Sequence, residues 1–304
     1  MISTVPAALQ VEEREIERIL TRTSGYLRGI ASHSLQPYRG CPLGRSLCGQ
    51  GCYVRHSWFT TRGREWGSFL EVRRNAAESY LKTVAGERRW AQRTVGAFSI
   101  FLSSSTEPFP PQERRYRITH SVLEAMLDEP PDLLIVQSHS HRVASEIDLY
   151  RQLLERTELR VHLSIETDRA RLPGLPPPAS PVPRRMDAAR RLKDAGIPVV
   201  ITVSPLLPIE DPDAFFGQIA EVADAVVLDH FIGGDGSTDG RRTQSTALPA
   251  AMAAVDPGSL ELSYLEAMLD IAQRYLPGRV GRSRDGFAGR FLPPGVTPMA
   301  ESGS

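Results

Sequence analysis

All three cysteines of this 304-residue chain lie within twelve residues, in a glycine-rich segment. They are Cys41, Cys48 and Cys52, and their spacing is C-x6-C-x3-C. Three thiolates can bind three irons of a [4Fe–4S] cluster and leave the fourth iron open for an exchangeable ligand. A structural zinc is the alternative, because His56 extends the pattern to a Cys3His set. Taken alone, the segment predicts the cluster and the zinc site with equal weight.

The overall composition is that of a globular protein, with 41% hydrophobic and 24% charged residues. No stretch reaches the ~20 apolar residues that cross a bilayer, and the first residues lack a signal-peptide pattern. Three cysteines give no paired disulfide framework, so we expect a reducing, cytoplasmic location without a membrane partner. The formal net charge is zero, which argues against a nucleic-acid partner because phosphate neutralisation requires a basic surplus.

Continuous apolar stretches alternate with amphipathic stretches along most of the chain. This alternation is typical of parallel strands joined by helical crossovers. The predicted fold class is therefore α/β, a partial (β/α)6 TIM-like barrel whose active site lies at the carboxyl ends of the strands. Strands are predicted at 69–72, 97–102, 132–137, 159–165, 199–203 and 225–228. Helices are predicted at 75–84, 112–127, 144–156, 213–222 and 259–275, with another that ends near 196.

The N-terminal residues are predicted to add a helix to this barrel. Four apolar residues between 16 and 27 have helical spacing within a candidate helix at 6–30. The expected domain organisation is a helical extension at 1–33, the barrel domain at 34–293 and a flexible tail at 294–304.

Four segments of the chain match motifs of one enzyme superfamily. Residues 36–41, Gln-Pro-Tyr-Arg-Gly-Cys, resemble N-P-Y-x-G-C, and a tyrosine follows Cys52. Residues 66–76 resemble W-G-x-[FY]-[LV]-x-V-K-x-N-A, residues 106–113 resemble T-D-P-Y-Q-P-x-E, and residues 204–208 resemble a proline-bracketed strand end. The chain thus resembles the radical S-adenosylmethionine (SAM) superfamily, and more closely its spore photoproduct lyase-like branch, over roughly residues 34–230.

The chain departs from the pattern of that branch at three places. The superfamily's usual spacing is C-x3-C-x2-C, so both gaps are wider here, and Gly51 stands where an aromatic residue usually contacts adenine. The branch also uses a further, hydrogen-donating cysteine, and this chain has no fourth cysteine. Together with the zero net charge, this absence leads us to expect an activity other than repair of DNA photoproducts.

The resemblance implies a radical SAM enzyme of the barrel type. One electron entering the [4Fe–4S] cluster would cleave bound SAM to methionine and a 5′-deoxyadenosyl radical, which abstracts hydrogen from a substrate. An external electron donor of the flavodoxin or ferredoxin type is then required. We expect a small-molecule substrate, nucleotide- or sugar-like, in specialised metabolism. The alternatives are a photoproduct-lyase-like enzyme of nucleic-acid repair and a non-enzymatic Cys3His zinc protein.

Polar residues follow the predicted strands, where a barrel enzyme binds its ligands. By the resemblance, residues 104–107 bind the SAM amino group, and a polar turn that caps the next helix is the alternative. Ser164 and Glu166 suit the ribose hydroxyls, and a buried hydrogen-bonded cluster is the alternative. The predicted cofactor-binding residues are Ser104, Ser105, Thr106, Glu107, Ser164, Glu166, Pro205 and Asp229.

Four residues are candidates for chemistry on the substrate. His139 and His141 follow the third barrel strand and suit substrate binding or proton transfer, with an ordinary polar loop as the alternative. Tyr38 and Tyr53 flank the cysteines and are candidates for binding substrate or quenching radicals, although most tyrosines are simply packed. The glycine-rich loop 233–240 is expected to be a mobile lid.

Overall fold

A long, mostly parallel sheet forms the centre of the fold. A computed structural model of the chain describes residues 8–294. The strands in this range are β1 (Gln10–Arg14), β2 (Leu20–Arg22), β3 (His33–Leu35), β4 (Tyr38–Arg39), β5 (Phe69–Arg73), β6 (Ser99–Leu102), β7 (Leu133–Ser138), β8 (Glu158–Ser164), β9 (Val199–Val203), β10 (Ala225–Leu228) and β11 (Val280–Arg282).

Eight of these strands form one sheet in the order β11-β10-β9-β8-β7-β6-β3-β2. Its neighbouring strands are parallel except β2 and β3, which are antiparallel at one edge. A second, three-stranded sheet has the order β1-β5-β4. The predicted α/β class with a parallel sheet is confirmed. The large sheet does not close into a barrel within residues 8–294, because β2 and β11 remain its two edges.

Helices connect the parallel strands and cover the sheet. They are α1 (Leu47–Gln50), α2 (Trp58–Thr61), α3 (Ala76–Thr94), α4 (Glu113–Tyr116), α5 (Ile118–Asp128), α6 (Ile147–Leu154), α7 (Val182–Asp194), α8 (Pro212–Val222), α9 (Phe231–Gly234), α10 (Arg241–Gln244), α11 (Leu248–Ala253), α12 (Leu262–Tyr275) and α13 (Ser283–Phe287). Short 3-10 segments occupy Gly25–Leu27, Tyr53–His56, His141–Glu146 and Pro257–Leu260.

The central strands are apolar on both faces because both faces are covered. Ile100 and Leu134 belong to the main core, which includes the helices. Their neighbours Phe101 and Ile135 belong to a second cluster with Phe287 of α13. Successive side chains of a strand point to opposite faces, so a continuous apolar run is typical of a strand buried on both sides.

The register of the strands places polar residues side by side at one edge of the sheet. β7 pairs with β8 up to Ser138, which lies opposite Leu163. β8 pairs with β9 up to Ser164, which lies opposite Thr202. The residues that follow these strands therefore meet at their carboxyl ends.

The predicted N-terminal helix is wrong over residues 8–30. β1 and β2 occupy this region, and the 3-10 turn Gly25–Leu27 follows them. β1 pairs in parallel with β5, and β2 lies antiparallel to β3. A helix fails here because Gly25 and Gly29 adopt φ angles of 57° and 93°, and because three hydroxyl residues at 21–24 favour non-helical backbone.

Several other boundaries differ from the predictions. α3 continues to Thr94, and the helix predicted at 112–127 is interrupted at Arg117, which has a φ of 50°. β11, α10, α11 and α13 are not predicted by the sequence pattern, because all of them are short. The expected tail at 294–304 lies outside the described residues apart from its first position. No helix between residues 8 and 294 is long and apolar enough to cross a membrane.

Two glycine-to-alanine substitutions are expected to change stability in opposite directions. Gly86 lies inside α3 with nothing within 4 Å of an added Cβ, so Gly86→Ala should raise the free energy of unfolding by about 0.5–1 kcal/mol. At Gly281 of β11 an added Cβ would lie 2.4 Å from the Cα of Gly286, so Gly281→Ala should lower it by about 1–3 kcal/mol. Urea denaturation measures both values. Equal effects of the two substitutions would contradict this packing.

Candidate active site

A cavity of about 240 Å³ opens at the carboxyl ends of the parallel strands. All three cysteines line it, together with Tyr53 and His139. The whole predicted cofactor-binding set lines it as well: Ser104, Ser105, Thr106, Glu107, Ser164, Glu166, Pro205 and Asp229. The structure therefore brings together most of the residues that the sequence indicates, at the edge of the sheet where α/β proteins bind ligands.

Close contacts between glycines fold the cysteine loop. An added Cβ at Gly49 would lie 2.2 Å from the carbonyl group of Gly44, and one at Gly44 would lie 2.5 Å from the backbone of Gly67. Any side chain at these positions would push the loop apart. The N–H of Leu47 also donates to the carbonyl of Pro177 at 3.1 Å, which ties the loop to the proline-rich segment. These contacts bring the three widely spaced cysteines to the lining of one cavity.

Burial controls the ionisation of the three thiols. It raises the pKa of Cys48 to about 12 and that of Cys52 to about 11. The pKa of Cys41 is also raised, first by burial and then by the two other sulfur atoms. Such thiols are protonated until a metal displaces the protons. Three sulfur donors that influence one another across one cavity fit the ligand set of a [4Fe–4S] cluster with an open iron.

The zinc alternative requires His56 as the fourth ligand. His56 is exposed, does not line the cavity, and has its Nε2 3.4 Å from the hydroxyl of Ser245. In the described range 8–294, no group of three or more His, Cys, Asp or Glu side chains is arranged to hold a single metal ion. The structure therefore does not bring His56 to the thiols.

A buried charge pair forms one wall of the cavity. Glu166 lies between Arg185 of α7, 2.7 Å from its Nη1, and His139, 2.8 Å from its Nδ1. Burial alone would raise the pKa of Glu166, but Arg185 and the hydrogen bond from His139 outweigh burial and lower it. Glu166 is therefore ionised, and His139 donates from Nδ1. The Nε2 of His139 lies 3.5 Å from the hydroxyl of Ser164.

A neutral hydrogen-bond network lies beside this pair. The amide of Gln137 donates to the hydroxyls of Ser164 at 2.8 Å and Thr202 at 3.1 Å, and these hydroxyls are 3.0 Å apart. The Oε1 of Gln137 is buried and has no donor among residues 8–294. Buried polar atoms are rarely left without a partner. A ligand that donates a hydrogen bond would supply the missing one.

Glu107 connects the ends of β6 and β7. Its Oε1 accepts from the N–H of Phe109 at 2.9 Å and the hydroxyl of Ser138 at 2.7 Å, and its Oε2 accepts from the N–H of His139 at 2.8 Å. A carboxylate has roughly four acceptor positions, so one remains for a ligand.

The turn before Glu107 is fixed from the cysteine loop. Gln36 donates to the hydroxyl of Ser104 at 2.9 Å and accepts from the hydroxyl of Thr106 at 3.2 Å. The hydroxyl of Tyr53 donates to the carbonyl of Ser104 at 2.9 Å. Tyr53 thus positions this turn, in addition to lining the cavity.

Asp229 follows the last residue of β10, and only one of its carboxylate oxygens accepts a hydrogen bond within the described range. The hydroxyl of Ser204 donates to Oδ2 at 3.1 Å, whereas Oδ1 has no partner among residues 8–294. Burial raises the pKa of Asp229 to about 6, although nearby hydroxyls lower it in part. Tyr26 lines the cavity beside Asp229, and burial, followed by the charge of Asp229, raises the pKa of Tyr26.

The glycine-rich loop 233–240 borders the cavity beside Asp229. Gly234, Asp235 and Gly236 line the cavity, and Asp235 accepts from the N–H of Thr243 at 2.8 Å. A Cβ at Gly234 would lie 2.6 Å from an Asp229 oxygen, so a side chain there would displace the Asp229 carboxylate. The opening of this loop as a lid stays a prediction.

Two residues predicted to be catalytic do not reach the cavity. Tyr38 is fully buried and donates its hydroxyl to Glu113, which also accepts two backbone N–H groups. The Nδ1 of His141 lies 2.8 Å from the hydroxyl of Ser180, at the proline-rich segment. Both side chains contact residues around the site rather than the cavity, and their predicted roles in chemistry on the substrate stay predictions.

Three residues of the site are missed by the sequence analysis. Tyr26 lies in the region interpreted as a helix, and Arg185 lies on α7 among other arginines. Thr202 lies in the apolar strand β9, where it is the polar exception. A polar residue within an apolar strand is the signal that could have identified Thr202. Arg185 and Tyr26 have no such signal, because their partners are distant in the chain.

Sequence comparisons give one partial match to a known protein. No protein-family model matches the chain. The uncharacterized protein ORF301 of Acidianus two-tailed virus is 30% identical over 146 residues, which are 48% of this chain and 44% of that protein. The match therefore spans less than half the length of this curated relative.

Solved structures of spore photoproduct lyase have a similar fold. A mutant with dinucleoside spore photoproduct has a TM-score of 0.59 at 15% identity, over 90% of this chain and 81% of that one. A mutant with bound AdoMet and dinucleoside spore photoproduct has a TM-score of 0.57 at 15% identity, over the same shares. The relationship predicted from the motifs is confirmed at the level of the fold.

The same comparison corrects the predicted partner. The sequence analysis expects a small-molecule substrate and argues against nucleic acid. The structural neighbours instead bind dinucleoside spore photoproduct, which is a fragment of nucleic acid. The expectation is contradicted because zero net charge describes the whole chain and not the surface around one cavity.

Removal of one charge from the buried pair should destabilise the fold strongly. Glu166→Gln leaves the buried Arg185 without its counter-charge, so the free energy of unfolding should fall by about 3–5 kcal/mol. The matched control is Glu210→Gln, because the side chain of Glu210 is 69% exposed where it pairs with Arg169 at 3.5 Å, and its loss should cost at most about 1 kcal/mol. Chemical denaturation of both variants tests the difference, and similar losses would contradict the role of Glu166.

The pH dependence of stability should change when Asp229 is replaced. The folded pKa of about 6 lies above the ordinary value of 3.8, so the folded state binds this proton more tightly. The resulting stabilisation is complete below pH ~4 and is lost as the pH rises through about 6. Asp229→Asn should therefore gain on the order of 2 kcal/mol relative to the unmodified protein at pH 7, and little at pH 4. Thermal denaturation without SAM measures this, and parallel pH profiles would contradict it.

Proposed function

From the fold shared with spore photoproduct lyase, we propose that this chain is a radical SAM enzyme with a substrate derived from nucleic acid. Cys41, Cys48 and Cys52 would hold a [4Fe–4S] cluster. The observation that carries the proposal is the convergence of all three cysteines on a cavity lined by the residues predicted to bind SAM. The proposed catalytic domain comprises residues 34–293, and a reducing cytoplasm suits its thiolate ligands.

The cofactors and the protein divide the work in this proposal. When bound, the cluster and SAM supply reductive cleavage of SAM and the abstraction of hydrogen from substrate. The protein binds and orients both ligands and excludes water from the cavity. The cysteine loop and the loop 233–240 line the cavity beside the sheet, and the proline-rich segment supports the cysteine loop through Pro177.

Each wall of the cavity offers a different kind of partner to a ligand. The Nε2 of His139 offers a hydrogen-bonding atom to a ligand, because Nδ1 is engaged by Glu166. Glu107 and the Oε1 of Gln137 are acceptors, and they suit the amino group of SAM and a ribose hydroxyl, respectively. Asp229 and Tyr26 face the same cavity from the other end of the sheet and suit the polar edge of a nucleobase.

The missing aromatic residue before the third cysteine has a structural counterpart. An added Cβ at Gly51 would lie 2.4 Å from the side chain of Leu248 on α11. Leu248 also lines the cavity. We infer that this leucine supplies the apolar surface for adenine that an aromatic residue provides in the superfamily.

The first test removes one cysteine. Cys48→Ala should abolish cluster assembly and the formation of 5′-deoxyadenosine from SAM, because two thiolates cannot hold the cluster. The measurement is 5′-deoxyadenosine after anaerobic reconstitution and reduction with dithionite, with iron determined on the same sample. Gly86→Ala is the control, because Gly86 does not line the cavity.

Two results would count against the proposal. Formation of 5′-deoxyadenosine by the Cys48→Ala variant would exclude the three-cysteine site. The absence of 5′-deoxyadenosine from the unmodified protein, although it is fully loaded with iron, would exclude the activity.

A further inference from the structure

One stretch of this neutral chain contains no acidic residue. Between Arg18 and Arg64 the sequence has eight arginines and no aspartate or glutamate. Arg55 and Arg62, both exposed, belong to none of the ion pairs that residues 8–294 form. Glutamates that lie outside this stretch pair with Arg22, Arg39, Arg45 and Arg64. The positive charge beside the cysteine loop therefore comes from Arg55 and Arg62, and the zero net charge of the chain conceals it.

Two large aromatic side chains project from this surface. Trp58 is 74% exposed and Phe59 is 88% exposed, which makes them the most exposed large hydrophobic residues in the described part of the chain. Arg55 precedes them by one turn and Arg62 follows them by one turn. Adjacent exposed aromatic rings are unfavourable in water, so they indicate a surface that a partner covers.

The backbone that carries the two rings is fixed. The buried guanidinium of Arg39 donates to the carbonyls of Phe59 at 2.5 Å and Thr60 at 2.9 Å. The ring of Trp58 lies beside Gly63, where an added Cβ would be 2.9 Å from it. The backbone under the rings is therefore ordered before a partner arrives, which lowers the entropic cost of binding.

This surface adjoins the cavity. Tyr53 lines the cavity and begins the 3-10 turn that leads to Trp58. Arg242 of α10 lies close enough to lower the pKa of His56, after the larger effects of burial and of Arg55, whereas Asp235 acts in the opposite direction. Two arginines and one aspartate therefore lie near His56, which precedes Trp58 by two residues.

We propose that Trp58 and Phe59, with Arg55 and Arg62, form a docking surface for an unpaired nucleic-acid strand that continues from the nucleotide in the cavity. Bases stack on the two rings, and the guanidinium groups contact phosphates. An acidic protein would also match the arginines, but a strand explains both the aromatic pair and its position next to the cavity. The inference rests on the proposed class of substrate and adds a binding surface outside the cavity.

The experiment uses fluorescence anisotropy to measure binding of a fluorescein-labelled oligothymidylate about twelve nucleotides long to the reconstituted full chain. Trp58→Ala/Phe59→Ala should weaken binding at least about tenfold, because stacking on each ring is lost. Trp58→Tyr/Phe59→Tyr keeps both rings and should restore most of the affinity. The matched control is Leu81→Ala/Val95→Ala, which removes two exposed apolar side chains of another surface and should leave binding unchanged.

The arginines are tested by the dependence of binding on salt. Arg55→Ala/Arg62→Ala should lower the slope of log K against log salt by about 1.4, because each lost contact to a single strand contributes about 0.7. Arg93→Ala/Arg114→Ala removes two exposed arginines elsewhere and should leave the slope unchanged. Thermal denaturation of every variant shows that the comparison is made between folded proteins.

Three outcomes would overturn the proposal: no binding of the oligonucleotide by the unmodified protein, equal affinity of the alanine double variant, or equally tight binding of poly-glutamate, which would indicate an acidic protein partner. Formation of 5′-deoxyadenosine by the same preparation separates this test from the proposed function. A protein that cleaves SAM and ignores the oligonucleotide contradicts only the docking surface. A protein that binds the oligonucleotide and never cleaves SAM contradicts only the radical SAM activity.

Discussion

The backbone contact among Gly44, Gly49 and Gly67 is the constraint on which the candidate site depends. The contact closes a loop whose cysteines are more widely spaced than is usual in the radical SAM superfamily. The three glycines allow the turns of this loop to touch through their backbones. Because Gly67 precedes β5, the same contact joins the loop to the small sheet. The path of the loop that carries the three cysteines is therefore determined by backbone packing, which only glycine permits.

The polar groups of the cavity fall into two classes with different energetics. Glu166 and Arg185 compensate each other's charge, and His139 engages the second oxygen of Glu166. Asp229 and Gln137 each keep a buried oxygen without a partner in the described range. An unsatisfied buried group costs about 1–3 kcal/mol. The compensated groups hold the site in shape, and the uncompensated ones are where binding of a ligand would recover free energy.

The sequence predicts those parts of the molecule that depend on local pattern or on close spacing. Apolar strands, their parallel order and the cysteine loop follow from periodicity and motif, and residues such as Ser164 line the cavity because they lie at strand ends. Contacts between residues distant in the chain have no signal in the local sequence, so the roles of Arg185 and Tyr26 are not predicted. For the same reason Tyr38 is predicted to contact substrate, whereas its hydroxyl donates to Glu113. Net charge misleads for a similar reason, since it averages over surfaces that the fold separates.

The central claim is that the three cysteines hold an iron–sulfur cluster that binds SAM. The most direct measurement is electron paramagnetic resonance of the reduced, anaerobically reconstituted protein before and after SAM is added, with iron, sulfide and zinc determined on the same sample. The account predicts about four irons and matching sulfide per chain, with a spectrum that SAM changes because it binds the open iron. One zinc without sulfide, or a cluster spectrum that SAM leaves unchanged, would contradict it.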